Sequence, residues 1–522
     1  MTNIAFYGSH NASIAIERDG KILEVIELER WVNVKNAGYG QYLTSYAREF
    51  ILPEILQYIK DKYNIDYFDN CIHMNTECYH NGVQYFFYQN IPAKRYVYGE
   101  HHKAHACNSI YQSPHREALI VSFDGGGNDG WFNVYRIEKG GYPELLEKID
   151  KNFGVCYSIF GIVCPQINKE PSYAIQGNLV YAGKLMGLAS YGKVRDEWFD
   201  EFNKWYDLQA GVPHDTLLIE MLNRLKIPLD DKNQASDDDA KDLAATNQFI
   251  FEKRFMDNVQ PYLDQYPNLP LHIAGGCALN VLLNTKLSKL RETFVAPNAS
   301  DCGLAVGMLL MESMPYKPVD ITYKGLPVTD KYNLSRILEE NTKHEKYSVS
   351  KMVKLIKDGK IIGVVRGGSE HGPRALGNRS ILCDPTIPDM KDILNAKVKN
   401  REYYRPFAPV VRLEDVNKYF EWDKECTYMS YCPKVREEYV DKIPSVVHID
   451  KTARVQTVTK QQNEWLYEIL TELDKQTGIG VLINTSFNQA GKPLVNSYMD
   501  AIEVLKTTQM DGVILNDMLI CK

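Results

Sequence analysis

Two stretches of the chain follow one pattern of apolar and polar positions. The opening segment alternates β-prone residues, turns at Asp19-Gly20 and returns as KILEVIELER, which predicts a β-hairpin. From Ala118 the run ALIVSFDGGGNDGWFNVYRIEKGGYPELLEKI repeats the plan: a buried strand, a Gly-rich turn, a returning strand and a second hairpin turn. The repetition predicts a duplicated α/β unit within the first ~330 residues. Pro228 to Asp242 (PLDDKNQASDDDAKD) is charged and poor in apolar residues, and reads as a solvated loop. Tyr316 to Asp330 has two prolines and no helical period, which marks a linker. Beyond it, SVSKMVKLIKDGK is helix-like, IIGVV, GVLIN and GVILN read as short strands, and DAIEVLKTT is amphipathic. A second α/β unit is therefore expected, with the division at 1–325 and 326–522.

Duplication of that kind suits the actin/Hsp70/sugar-kinase type of fold, and a length of 522 residues with 44% apolar content supports more than one core. A net charge of −7 and an isoelectric point near 6.0 lack the basic excess that draws a protein to duplex nucleic acid or anionic membrane. The eleven cysteines sit singly, with no CxxC pair, as free thiols do in a reducing compartment. MTNIAFYGSHNAS has neither a basic n-region nor a long apolar h-region, and no apolar run approaches membrane-spanning length. A cytoplasmic protein is expected.

The chemistry-bearing residues fall into two groups. In EHHKAHA, His101 and His105 are four apart, so on a helix both imidazoles project from one face and can converge on a metal, while His102 points elsewhere. Helix-surface histidines have the same spacing. Asp124 ends a strand before Gly125-Gly126-Gly127, where the backbone is open to a phosphate or substrate. Asp301 sits where the chain enters the apolar run CGLAVG, a place that also suits a helix N-cap. Gly275, Gly276 and Asn280 in GGCALN follow the strand LHIA and open a helix, so their amides face either a nucleotide or tight strand-to-helix packing. Lys184 lies between glycines in an apolar stretch and reads as a partly buried site lysine. No GxxxxGK[ST] motif exists. After residue 330, Arg374, Lys399, Arg405 and Arg454 stand among Gly, Pro and apolar neighbours, as in a polyanion site, although Arg–carboxylate pairs bracing loops give the same pattern. Ser486 and Asn488 follow the strand GVLIN, at the edge where open α/β sheets bind ligands.

Taken in order, GSHNAS, HHKAHA, DGGGNDG, GKLMGLASYG, GGCALN, SDCGLAVG, HGPRALGNRSIL, REYYRPFAPVV, RVQTV and NTSFN resemble the O-carbamoyltransferase family that modifies nodulation factors and antibiotics. The resemblance covers nearly the whole chain. It implies a duplicated actin-like domain over 1–325 and a smaller YrdC-like α/β domain over 326–522. It implies that ATP and carbamoyl phosphate give carbamoyl-adenylate, with Mg2+ accompanying ATP, and that the carbamoyl group passes to an acceptor hydroxyl at an Fe(II) or other divalent site. By position, His101, His105, Asp124 and Asp301 match the metal ligands, and His10 matches a histidine of the transfer site. Arg374, Lys399, Arg405, Arg454, Ser486 and Asn488 match the adenylate-forming site, and catalytic roles are expected for His10, Lys184, Arg374 and Lys399. The family usually has HDAS where this chain has His10-Asn11-Ala12-Ser13. The implied acceptor is a sugar or secondary metabolite, with a hydroxymethylated pyrimidine in a nucleotide or DNA second. No membrane partner is expected, and a homodimer remains open. A tRNA threonylcarbamoyl-type transferase and an actin-fold kinase or binding protein are the competing readings. Asn81 to Glu100, rich in aromatics, is either an acceptor-binding loop or core strand, with core favoured.

Overall fold

The computed structural model describes residues 1–38, 50–74, 88–138, 141–169, 175–341 and 343–522, with side chains from 175 to 179 excepted. The opening hairpin forms as β1 (Thr2–Tyr7), β2 (Ser13–Arg18) and β3 (Lys21–Glu27), and Asp19 and Gly20 adopt positive φ, as a two-residue hairpin turn requires. The tail of KILEVIELER turns helical at Leu28–Val32. With β4 (Phe68–His73) and β5 (Ala93–Tyr98) these strands make a sheet of order β3-β2-β1-β4-β5. Here β1–β3 is an antiparallel meander and β4 and β5 run parallel to β1.

The second sheet repeats that plan. Its strands are β6 (Ala118–Gly127), β7 (Gly130–Ile137), β8 (Glu144–Ile149), β9 (Leu271–Ala274) and β10 (Thr293–Phe294), in the order β10-β9-β6-β7-β8. The meander β6–β8 is antiparallel, and β9 and β10 are parallel to β6. The two hairpin patterns thus mark the same position in two copies of one α/β unit.

Both faces of the first sheet are covered, which is why β1 reads as a nearly continuous apolar run. Ile4, Phe6, Ile14 and Ile16 pack with α1 (Leu52–Tyr63), whereas Ala5, Tyr7 and Ala15 pack with α2 (His101–Gln112). Helices further along the chain include α3 (Ile175–Ala189), α4 (Asp237–Gln265), α5 (Val281–Leu290) and α6 (Leu304–Ser313). α6 joins α2 against that second face, and a Cβ on Gly307 would fall 2.2 Å from the Ala104 carbonyl oxygen, so only glycine permits their approach.

The acidic segment departs from the loop expected of it. Pro228 to Ser236 is a turn, but Asp237, Asp238 and Asp239 form the first turn of the 29-residue α4, capped by Ser236. Acidic residues are favoured there by the helix dipole, and Asp242 turns inward to pair with Arg195. Of Asn81 to Glu100, residues 81–87 lie outside the described residues, and β5 is a half-exposed strand at the sheet edge rather than core.

The remaining chain builds a third sheet of β11 (His344–Lys346), β12 (Ile362–Val365), β13 (Arg379–Cys383), β14 (Ala408–Arg412), β15 (Gln456–Val458), β16 (Val481–Ser486), β17 (Gly512–Leu515) and β18 (Met518–Cys521). Their order is β11-β18-β17-β12-β13-β16-β14-β15. α7 (Val349–Lys357), α8 (Glu464–Thr477) and α9 (Tyr498–Thr507) accompany it, and the expected strands and helices all appear. Leu326 packs in the core of the first sheet and Val328 in that of the third. Among the described residues every cysteine is free, and no helix is long and apolar enough to cross a membrane.

Candidate active site

Four side chains converge at the carboxyl ends of the central strands. His101 and His105 project from one face of α2, Asp124 stands near the end of β6, and Asp301 precedes α6. One donor atom from each lies within 4.8 Å of the others. His105 Nε2 is 3.4 Å from Asp124 Oδ2 and 3.5 Å from Asp301 Oδ1, and the two imidazole Nε2 atoms are 3.2 Å apart. Asp301 is no helix cap: Ser300 takes the N-cap position of the turn it begins, and its carboxylate accepts a 2.5 Å hydrogen bond from Tyr7 Oη. His102 points away and meets Ser122 Oγ at 2.8 Å.

Neighbouring backbone fixes this arrangement. The hairpin turn between β6 and β7 caps α2 from outside: Asn128 accepts from the His101 amide, and Asp129 from the His102 and Lys103 amides. Asp124 accepts from the Gly125 and Gly276 amides at 2.6 Å each. Gly127 must be glycine because a Cβ there would sit 2.5 Å from the His101 ring. Burial pushes His105 down, but the Asp124 and Asp301 carboxylates overcome it and hold the imidazole up at about 9. Asp124 is held well below the usual carboxylate range; burial opposes this, and His101 and His105 outweigh it. Two nitrogen and two carboxylate donors, buried and mutually attracting, fit a divalent transition metal.

His10 lies beside the four, its Nε2 3.5 Å from Asp301 Oδ2 and its Nδ1 3.1 Å from Asn11 Oδ1. Asn11 takes φ +58°, a conformation asparagine tolerates, and donates from Nδ2 to Asn36 Oδ1 at 3.3 Å.

The other expected residues gather at the seam between the duplicated unit and the third sheet. Lys399 Nζ donates to the Ser486 and Asn488 carbonyls at 2.7 and 2.8 Å and to both their side chains, so these three meet as expected. Arg405 and Arg454 stand close enough to Arg374 to add to its depression by burial, and Arg405 does the same to Arg454. Arg401, which sequence reasoning missed although it opens REYYRPFAPVV, joins them. Burial, followed by these like charges, pushes Arg374, Lys399 and Arg401 well below their ordinary values, and Arg454 to about 10. Lys184 reaches the seam from α3 and pairs with Glu402 at 2.7 Å; Glu402 also faces Arg405 at 3.5 Å. Lys35 is pushed down by burial and by Arg405, Lys184 and Arg374, in spite of Glu29.

The GGCALN residues serve the first site from behind. The Gly276 amide goes to Asp124, while Asn280 caps α5 and bonds Gln248, both buried. Tyr7, Lys35, Asn128, Asp129 and Glu402 carried no local signal, because each matters only through partners distant in sequence.

Comparison with known proteins follows the same two halves. Residues 46–310 match the family model described as Carbamoyltransferase N-terminus and residues 353–522 that described as Carbamoyltransferase C-terminus. Nodulation protein NolNO of Sinorhizobium fredii is 29% identical over 98% of this chain and 79% of its own length. Nodulation protein NolO of Bradyrhizobium diazoefficiens is 30% identical over 81% and 78%. The 3'-hydroxymethylcephem-O-carbamoyltransferase of Amycolatopsis lactamdurans is 30% identical over 80% and 79%. The expected family is therefore borne out, and this chain is an enzyme belonging to the carbamoyltransferase family.

Proposed function

We propose that the enzyme is an ATP-dependent O-carbamoyltransferase. Water hydrolyses carbamoyl phosphate to phosphate and carbamate, and a carbamate oxygen attacks the α-phosphorus of ATP and expels pyrophosphate. The acceptor hydroxyl then bonds to the carbamoyl carbon of the resulting carbamoyl-adenylate, and AMP leaves. The observation that carries this reading is the seam cluster: Lys184 and Arg405 pair with Glu402, Arg401 lies close to it, and Arg374, Lys399, Arg401 and Arg454 are each pushed down by burial and then by neighbouring cations. A polyphosphate supplies the missing anion, and fixed cations stabilise charge as the phosphorus is attacked.

Adenylation belongs in this reading to the third-sheet domain, taken as YrdC-like, and transfer to the duplicated, actin-like unit. His101, His105, Asp124 and Asp301 would hold a divalent ion, Fe(II) in the first instance, which supplies positive charge to polarise a carbonyl or hold a phosphate. His10 orients the acceptor hydroxyl or takes its proton, with Asn11 fixing the ring at Nδ1. The acceptor is a small hydroxylated molecule, in keeping with the cephem named for one relative. Incubation with ATP, carbamoyl phosphate and a panel of hydroxylated metabolites and hydroxymethylcytosine DNA tests the reading. Pyrophosphate, AMP and one acceptor gaining a carbamoyl mass are expected; ADP in place of pyrophosphate would identify a kinase.

A further inference from the structure

His371 belongs to HGPRALGNRS, yet the chemistry above gives it no task. It is buried, and so is Arg30 on the short helix after β3. Between them runs the loop from Ser369 to Arg374, which leaves the third-sheet domain and threads against the duplicated unit. Arg30 donates to Ser369 Oγ and to the Gly372 carbonyl at 2.9 Å each, and to the Glu370 carbonyl, while its Nε pairs with Glu27 at 2.5 Å. On the other side His371 Nε2 donates to the Cys302 carbonyl at 2.9 Å, and Asn298 Nδ2 lies 3.3 Å from His371 Nδ1. A Cβ on Gly372, at φ +121°, would strike the Pro297 carbonyl oxygen at 2.4 Å. The loop's own shape is held by Glu370, whose carboxylate accepts from the amides of Leu376, Asn378 and Arg379.

Cys302 follows Asp301 of the transfer site, and Arg374 of the cation cluster comes three residues after His371. Three residues of extended chain span at most ~10 Å. We infer that residues 369–374 are a strap registering the transfer site against the adenylate-forming cluster, with Arg30 and His371 as the positioning residues that hold it; this rests on the function proposed above. Glu27, Cys302 and His371 also bring donor atoms within 4.8 Å of one another. They make no second metal cage, because Arg30 occupies Glu27 and the Cys302 carbonyl occupies His371 Nε2. The strap's task follows from the chemistry. Carbamoyl-adenylate is lost if water takes the place of the acceptor oxygen: AMP leaves either way, but carbamate forms instead of product. Registry between the two sites keeps that water out.

The decisive measurement is AMP formed per acceptor carbamoylated. In Arg30→Met and His371→Phe this ratio should rise about tenfold, with Arg30→Lys in between, since small misplacement of reacting groups costs rate steeply. A purely structural role would lower both rates and leave the ratio unchanged, and that result overturns the inference. A second arm does not depend on the reaction: amide hydrogen exchange in Arg30→Lys, which keeps the charge should Arg30→Met fail to fold. Faster exchange at 298–304 as well as at 369–379 is expected, and unchanged exchange at 298–304 overturns the strap. If the wild-type enzyme makes no AMP, the proposed function fails while the exchange arm still decides the strap.

Discussion

The histidine–aspartate site and the seam cluster are both crowded with charge, but they are crowded in opposite ways. At the first, two imidazoles face two carboxylates, and attraction holds His105 up and Asp124 down. At the second, burial and then like charges depress Arg374, Lys399, Arg401 and Arg454, and Glu402 pairs with Lys184 and Arg405. The four donors of the first site balance one another before any ligand arrives. The cations of the second are held together by the fold against burial and their own repulsion, and the polyphosphate proposed above would complete them. A cation cluster that costs stability until an anion binds is a common trade between function and stability.

The largest expected effect separates the two regions outright. Replacing His101 and His105 with alanine should abolish bound metal and acceptor carbamoylation and leave pyrophosphate release intact. Undiminished metal content in the double variant, measured by elemental analysis, would sink the ligand assignment. At the seam, Arg374→Ala or Arg405→Ala would, on the proposed function, remove one charge-assisted bond to phosphate, worth roughly 1.5–3 kcal/mol, so pyrophosphate release should fall about tenfold to a hundredfold. The stability change should run the other way. Arg374→Ala removes a buried cation that Arg454 and Arg405 also repel and should raise the unfolding temperature, whereas Asp124→Ala strands two imidazoles and should lower it. Destabilisation by both variants, read by calorimetry, would break the contrast.

The strap between the regions adds a pH dependence. Burial, and then Arg30, push His371 down to about 3 from an ordinary 6.5, although the Cys302 carbonyl pulls the other way. Below pH 6.5 the unfolded chain therefore binds a proton that the folded one refuses. The stabilising contribution is complete above 6.5 and is lost as pH falls towards 3, by about 2 kcal/mol between pH 6.5 and 5. His371→Gln should lose less of its unfolding temperature over that interval than the wild type; equal losses would show that the imidazole does not titrate there.

How much of this was legible varied with the range of the interactions. The duplicated hairpins showed because strand and turn signals are local, and His101 and His105 because helical period alone puts positions four apart on one face. Asp301 was ambiguous because a carboxylate ahead of a helix is as often a cap, and only Tyr7, nearly three hundred residues away, shows which it is. Long range likewise hid the part played by Arg30, whose loop partners lie beyond residue 368, and by Glu402, whose partner Lys184 is on α3. Asp237 to Asp239 misled for the opposite reason, since a run of charge reads as loop unless its place at a helix start is known.

The smallest effect concerns Asn11, where the family usually has aspartate. Either residue offers an oxygen to His10 Nδ1, so the imidazole should stay oriented with Nε2 towards Asp301 in Asn11→Asp. What changes is the far side. The Asn11 amide donates to Asn36 Oδ1, and a carboxylate there would set oxygen against oxygen unless the Asn36 amide turns over to donate. Such a flip exchanges the two ends of a side-chain amide within the same volume, so the net cost is set by a single part-buried hydrogen bond, about 0.5–1.5 kcal/mol before the flip and less after it. Carbamoylation by Asn11→Asp should therefore stay within about threefold of the wild type, with Asn36→Ala relieving whatever loss appears. A loss approaching that of the double histidine variant would mean that the amide of Asn11, rather than its oxygen, is what the transfer site uses.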